Sequence, residues 1–183
     1  MMRKAMNIKV SFKLLVLLLA TAFVTVGCMT TQVDLGGIEL RNVKQPAENL
    51  ISSGQPSQES LKALKENGLK NVINLRTEGE SAGFDEKQVA QELGLNYYSL
   101  PISGRSGITF ENAKKFSDLI SKAEGPTLAH CGSGNRVGAL MALNSYLKNG
   151  DLEKAIADGK ASGLTSLEDT VRRTIESKKT EED

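Results

Sequence analysis

The stretch that decides the fold of this chain is residues 127–138, Thr127-Leu128-Ala129-His130-Cys131-Gly132-Ser133-Gly134-Asn135-Arg136-Val137-Gly138. A short apolar run leads into a tight turn that contains two glycines, and a helical segment follows. A loop of this kind points backbone N–H groups at an anion, and the positive end of the helix dipole adds to the attraction. The stretch therefore predicts an anion-binding loop between a buried strand and a helix.

One cysteine opens this loop and one arginine closes it. The field of the loop and the fixed charge of Arg136 favour the thiolate form of Cys131, which is the nucleophilic form of the side chain. We expect the sulfur to lie exposed at the edge of a sheet, in front of the guanidinium group. The alternative is a buried structural cysteine. The predicted anion-binding residues are the four between them: Gly132, Ser133, Gly134 and Asn135.

Strand-like and helix-like segments alternate along the chain, which favours an α/β fold. Short strands are predicted at 38–40, 50–53, 71–75 and 96–100 and directly before Cys131, and residues 45–49 are predicted as a turn. Such alternation gives a three-layer fold, in which a mostly parallel central sheet is flanked by helices on both faces. A helix is predicted over 137–149, with Leu140, Leu143 and Leu147 facing inward.

Polar side chains follow three of these predicted strands. Arg76 and Glu78 follow one strand, Arg105 follows another, and the Cys131 loop follows a third. Because sites in parallel sheets form at the carboxyl ends of the strands, we expect these loops to meet at one opening. Arg76 and Arg105 are therefore candidate contacts for an anionic substrate.

The first 27 residues are predicted to be a signal peptide. They carry Arg3, Lys4, Lys9 and Lys13 and no acidic residue, and the apolar run 14–26 is too short to span a bilayer. The run ends at Cys28 in a pattern that resembles a bacterial lipoprotein signal. That resemblance implies a lipid on Cys28, a membrane anchor, and a location on the periplasmic side of the cell envelope, in the outer membrane. The alternatives are an ordinary cleaved signal or an uncleaved anchor.

Removal of that segment changes the net charge from +1 to −3. A weakly acidic chain gives no reason to expect nucleic-acid binding. Residues 28–37 are predicted to be a tether, 38–177 the catalytic domain and 178–183 a charged tail. If Cys28 carries lipid, Cys131 is left as a free thiol in an oxidising compartment, which suggests a chemical use. One histidine and one spare cysteine do not make a metal site, and no cofactor is expected.

Three motifs resemble a known family. They are Ser52-Ser53-Gly54-Gln55-Pro56, Asn71-Val72-Ile73-Asn74-Leu75-Arg76 and His130-Cys131-Gly132-Ser133-Gly134-Asn135-Arg136. Together they look like the phosphatase-like domain of the β-lactamase hydrolase-like family, a relative of dual-specificity tyrosine phosphatases, over about Leu40 to Gly163. The resemblance implies a tyrosine-phosphatase-like fold, with Cys131 as nucleophile and His130 as a residue that tunes it.

The chain departs from the phosphatase pattern in two places. Tyrosine phosphatases place five residues between cysteine and arginine, whereas this chain places four, a spacing that resembles rhodaneses. The segment 101–109, where phosphatases carry an acid, holds Arg105 but no carboxylate. Glu78 or Glu80 could substitute from the neighbouring loop. A missing general acid typically costs ~10²–10⁴ in rate.

These departures favour sulfane-sulfur transfer of the rhodanese type through a persulfide on Cys131. The leaving group of a sulfane donor departs as a stable anion, so this reaction needs no general acid. The alternative is a phosphomonoester hydrolase that works through a phosphocysteine. A third possibility is an anion-binding module without turnover. In each case the expected partner is a small anionic or thiol/persulfide molecule.

Overall fold

The computed structural model describes residues 33–182, and within them five strands form one sheet. The strands are β1 (Lys44–Ala47), β2 (Leu50–Ser53), β3 (Asn71–Asn74), β4 (Asn96–Ser99) and β5 (Thr127–His130). Their order across the sheet is β1-β2-β5-β3-β4, which places β5 at the centre. β1 runs antiparallel to β2, and all other neighbours are parallel. The predicted mostly parallel sheet is confirmed.

The described residues also form six helices. They are α1 (Gln58–Glu66), α2 (Glu86–Glu92), α3 (Phe110–Lys122), α4 (Asn135–Asn149), α5 (Leu152–Ala161) and α6 (Glu168–Glu182). Four of them begin after a side chain that accepts a hydrogen bond from a backbone N–H of the first turn: Ser57, Asp85, Thr109 and Asp151. None of these helices is long and apolar enough to cross a bilayer.

The three central strands, β2, β3 and β5, are buried on both faces of the sheet, and their successive residues point to opposite sides. In β3, Val72 packs in the apolar cluster that contains Leu61 of α1 and Ala90 of α2. The next residue, Ile73, packs in the cluster formed with α3, α4, α5 and α6. The three-layer arrangement predicted from the alternation of strands and helices is therefore confirmed.

Two local predictions are wrong. The first strand lies at 44–47, in the predicted turn, and not at 38–40. β1 is an edge strand, where Pro46 removes no hydrogen bond that the sheet needs, and Ile38 packs as part of a loop. Leu147 is 47% exposed and does not face the core. Residues 178–182, in the predicted charged tail, continue α6.

The start of α4 is held very close to the segment that follows α5. A β carbon at Gly138 would lie 1.9 Å from the backbone nitrogen of Leu164, so only glycine fits there. A β carbon at Gly159 of α5 would lie 2.7 Å from that of Ala142 on α4. This close packing fixes the position of α4 and, with it, the end of the loop that leads out of β5.

Candidate active site at the carboxyl end of the central strand

Cys131 follows the last residue of the central strand β5. Its backbone N–H donates to the carbonyl of Ser53 at 3.3 Å, and its sulfur accepts a hydrogen bond from the N–H of Gly134 at 3.1 Å. The residue is only 1% exposed, so the predicted exposed sulfur is wrong. The side chain belongs to the apolar core cluster that also contains Ile102 and Val137, so the burial expected of a structural cysteine is what the structure shows. A reacting group must therefore enter the loop to reach Cys131.

Two carbonyl groups of the loop accept hydrogen bonds from residues next to β1 and β2. The carbonyl of Gly132 accepts from the N–H of Gln55 at 3.4 Å, and that of Ser133 accepts from Nδ2 of Asn42 at 3.0 Å. These carbonyls, which would repel an anion, are thus occupied by groups outside the loop. Gly134 has a φ of +84°, and a β carbon there would lie 3.0 Å from Nδ2 of Asn42. The positive φ strongly favours glycine at that position, and the nearby amide leaves little room for a β carbon.

Asn135 has a structural task that the sequence did not reveal. Its Oδ1 accepts from the N–H of Thr165 at 2.8 Å, and its Nδ2 donates to Oγ of Ser166 at 2.8 Å. The side chain therefore ties the first turn of α4 to the segment between α5 and α6. Asn135 also lines the depression above the loop, so its backbone remains close to the candidate anion site.

Arg136 joins the ends of three chain segments. Its Nη1 donates to the carbonyl of Leu75 at 3.3 Å, after β3, and to the carbonyl of Ile102 at 2.9 Å, after β4. The same nitrogen donates to Oε1 of Glu80 at 2.7 Å, and Nη2 donates to Oε2 at 2.5 Å. The guanidinium group therefore holds together the loops that follow β3 and β4 and the loop of Cys131.

Glu80 and Arg136 shift each other's pKa. The hydrogen bond to Glu80 raises the pKa of Arg136 against the effect of burial, and the nearby Cys131 adds to the increase. The hydrogen bond from Arg136 lowers the pKa of Glu80 to about 2, and the N–H and hydroxyl of Thr77 help. Glu80 is thus ionised at neutral pH. Glu80 therefore has no proton to donate to a leaving group at neutral pH.

A depression of about 330 Å³ opens above the loop. Its lining residues come from the loops after β3, β4 and β5, from the first turn of α4 and from the residue before α6: Glu80, Gly104, Arg105, Ser133, Asn135, Arg136 and Leu167. Arg105 is exposed there, and within the described chain it makes no ion pair. Three loops therefore meet at one opening, and Arg105 and Arg136 both face it.

Arg76 lies elsewhere. It is 7% exposed and donates from Nη1 to Oε1 of Gln55, and it lines a separate cavity of about 310 Å³ beside the first. Glu80 belongs to the walls of both depressions. Arg76 is therefore engaged in a buried polar network and does not widen the opening above Cys131.

That network reaches His130, the residue before Cys131. Nε2 of His130 lies 3.1 Å from Oε1 of Glu86, and the ring is fully buried without a well-aligned hydrogen bond. Glu86 accepts from Nε2 of Gln55 at 2.9 Å and from Nδ2 of Asn74 at 2.8 Å. Gln55 and Asn74 lie in motifs that the sequence singled out, but Glu86 gave no signal, because a glutamate at the start of a helix is usually solvated.

No group of three or more His, Cys, Asp or Glu side chains that could hold a metal ion occurs in residues 33–182. The site consists instead of a covered sulfur, a loop of backbone amides and an arginine held by a carboxylate. This fold, with a cysteine-bearing loop at the carboxyl end of its central strand, defines a phosphatase-like class of protein.

Residues 30–182 match the model of the family described as "DSP-PTPase phosphatase fused to NAD+ kinase". The chain therefore belongs to that family. It is also similar to two proteins named β-lactamase hydrolase-like protein. The one from Agrobacterium fabrum is 35% identical over 122 residues, which cover 64% of this chain and 28% of that protein. The one from Xylella fastidiosa strain Temecula1 is 36% identical over 104 residues, 55% of this chain and 24% of that protein.

The chain thus spans about a quarter of the length of these curated relatives. Two solved structures share its fold. A candidate phosphatase from Neisseria meningitidis has a TM-score of 0.62 at 24% identity, covering 73% of this chain and 96% of that one. The catalytic core of the PP-IP phosphatase Siw14 from S. cerevisiae has a TM-score of 0.57 at 21% identity, covering 76% and 86%. The resemblance to the β-lactamase hydrolase-like family and to dual-specificity phosphatases is confirmed.

Proposed function

We propose that this chain is a phosphatase that forms a phosphocysteine on Cys131. The observation that carries the proposal is the position of the sulfur. Cys131 lies under the N–H of Gly134 and near Arg136, in a loop at the carboxyl end of the central strand. Membership of a family described as phosphatases supports this reaction over the sulfur transfer that the sequence alone favoured.

In the proposed reaction the thiolate of Cys131 attacks the phosphorus atom, and the bond to the leaving oxygen breaks with its electron pair. Arg136 and the loop amides stabilise the charge on the other phosphoryl oxygens in the transition state. A water molecule then attacks the phosphocysteine, the P–S bond breaks, and inorganic phosphate leaves as the thiolate is restored. The depression above the loop is the entry for the phosphoryl group.

The test is hydrolysis of p-nitrophenyl phosphate by the full-length chain and by Cys131→Ser. We expect turnover by the parent that is lost in the variant. Arg136→Lys keeps the charge but loses the planar fork, and we expect it to lower kcat/KM by about 10²-fold. Turnover that Cys131→Ser leaves unchanged would overturn the proposal.

Sulfane-sulfur transfer is the second candidate, and the four-residue spacing between Cys131 and Arg136 favours it. In that reaction Cys131 takes a sulfur atom from a donor and passes it to a thiol or an anion. Incubation with thiosulfate or glutathione persulfide, followed by intact mass, would detect one added sulfur that a reductant removes. Phosphate binding with turnover in neither assay would instead support a binding module.

The location of the protein is also a proposal. Cys28 lies outside the described residues, and the lipoprotein-like pattern before it supports lipidation and anchoring in the outer membrane. Labelling with radioactive palmitate in a bacterial host tests this. We expect label on the parent chain and none on Cys28→Ser, whereas equal labelling of both would contradict lipidation at this residue.

A further inference from the structure

The depression above the loop is lined by one carboxylate, Glu80, and by two guanidinium groups, Arg105 and Arg136. The carboxylate already accepts hydrogen bonds from within the protein. Both oxygens of Glu80 accept from Arg136, and Oε1 also accepts from the N–H and hydroxyl of Thr77 at 3.0 Å each. A carboxylate with four donors around it is stable as the anion. Glu80 therefore offers a leaving group no proton at neutral pH.

Arg105 lines the same depression, and it forms no ion pair with any side chain that the structure describes. It lies in a tight loop, in which the N–H of Gly107 donates to the carbonyl of Ser103 at 2.6 Å and that of Ile108 donates to the carbonyl of Arg105 at 3.2 Å. A β carbon at Gly107 would lie 2.7 Å from the backbone nitrogen of Ser103, which shows how compact the loop is. Arg105 is therefore carried on a well-defined turn.

The base of that turn is tied to the reacting centre. Nη1 of Arg136 donates to the carbonyl of Ile102 at 2.9 Å, and the N–H of Ile102 donates to the carbonyl of Leu75 at 3.0 Å. Arg136 thus fixes the start of the loop that presents Arg105. Arg136 lies beside the sulfur, and Arg105 lies further out, on the wall of the same depression.

We propose that the preferred substrates are phosphoanhydrides, and that Arg105 binds the phosphate that leaves. This inference rests on the proposed phosphatase function and adds the class of substrate. A leaving phosphate ester is stable as an anion, whereas an alkoxide must be protonated as it departs. A site that presents a fixed positive charge, and whose carboxylate is already ionised, suits the first kind of leaving group.

The step balances without an acid. The thiolate of Cys131 attacks the terminal phosphorus of a diphosphate, and the P–O–P bridge breaks with its electron pair on the departing phosphate, which Arg105 receives. Water then hydrolyses the phosphocysteine to inorganic phosphate and the thiolate. The net reaction consumes one water molecule and needs no oxidant, reductant or co-reactant.

The test compares methyl diphosphate with methyl phosphate on the full-length chain, since these probes differ in the group that leaves. We expect kcat/KM for methyl diphosphate to exceed that for methyl phosphate by at least ~10²-fold, the factor that a missing acid costs. Arg105→Ala should lower kcat/KM for methyl diphosphate by about 10- to 100-fold, and Arg105→Lys should restore part of it. The effect on p-nitrophenyl phosphate, whose leaving group is not a phosphate, should be smaller than about threefold.

Lys122→Ala is the matched control, because it removes one exposed positive charge at the end of α3, and it should leave both rates unchanged. Equal rates on the two methyl substrates would overturn the anhydride preference. A similar loss on every substrate in Arg105→Ala would overturn the role of Arg105. If p-nitrophenyl phosphate is hydrolysed in either case, the proposed phosphatase function survives. If none of the three substrates is hydrolysed faster than by Cys131→Ser, both proposals fail.

Discussion

Glu80 and Arg136 face each other across the opening of the loop, with both carboxylate oxygens bound by the two terminal nitrogens of the guanidinium at 2.7 and 2.5 Å. Glu80 belongs to the loop after β3, and Arg136 is in the first turn of α4. Paired forks of this kind fix the plane of an arginine as well as its position. The pair therefore orients the cation that would meet the phosphoryl oxygens.

Replacing Glu80 with glutamine tests this orientation. The amide keeps the size of the side chain but provides only one acceptor oxygen, so Arg136 loses half of the fork. We expect kcat/KM for p-nitrophenyl phosphate to fall about tenfold, with Arg136 still held by the carbonyls of Leu75 and Ile102. Glu78→Gln is the matched control, because Glu78 is exposed on the same loop and should change nothing. An unaltered rate in Glu80→Gln would show that the pair does not matter for turnover.

The same pair predicts a pH dependence of stability. The pKa of Glu80 falls from 4.5 to about 2 on folding, so the unfolded chain binds the proton more tightly. The stabilisation is present above pH 4.5 and is lost as the pH falls towards 2. Urea unfolding at several pH values from 6 down to 3 should therefore show a smaller loss of stability for Glu80→Gln than for the parent. Parallel curves for the two proteins would contradict the lowered pKa.

The fit between α4 and the segment after α5 predicts a large effect at Gly138. A methyl group there would collide with the backbone of Leu164, which cannot move as a side chain can. We expect Gly138→Ala to lower the free energy of unfolding by at least about 3 kcal/mol. Gly79→Ala is the control, since a β carbon at Gly79 has nothing within 4 Å. Similar urea midpoints for the two variants would show that the contact at Gly138 is not tight.

The buried Glu86 should support the residue before the nucleophile. In Glu86→Gln, one acceptor oxygen becomes a donor and is placed against the amide donors of Gln55 or Asn74. We expect a loss of about 1–3 kcal/mol in the free energy of unfolding. The rate at which iodoacetamide alkylates Cys131 should also change, because His130 lies 3.1 Å from Glu86. Glu92→Gln, at the exposed end of the same helix, should alter neither measurement.

The central part of the fold was predictable because its signals are local. Buried strands are short segments with apolar residues at their centre, as in Asn71–Asn74, and Ser57 before α1 is a residue type that commonly caps a helix. β1 was not predictable, since an edge strand has no buried face to give it a pattern. Leu147 was misassigned because the helical period indicates a face, but not where the neighbouring helices stop covering it.

The site was predictable in outline and not in its contacts. Residues 130–136 gave the loop, and the strand ends gave the neighbourhood of Arg105. The sequence does not show that Glu80 pairs with Arg136 while Glu78 remains exposed. Both are glutamates of one loop, and only the path of the backbone decides which side chain points towards Arg136. The sequence also does not show that Arg76 donates to Gln55 or that Cys131 is buried. Both depend on contacts between segments that are distant in the chain.

The most direct measurement is the mass of the protein intermediate. The full-length chain is mixed with p-nitrophenyl phosphate, and the reaction is quenched after a fraction of one turnover. The protein is then digested, and the mass of the peptide that contains Cys131 is measured by mass spectrometry. We predict one phosphoryl group on Cys131 that is absent from Cys131→Ser. No phosphoryl group there during measurable turnover, or one added sulfur after exposure to a sulfane donor in a chain that hydrolyses no phosphate ester, would contradict the account.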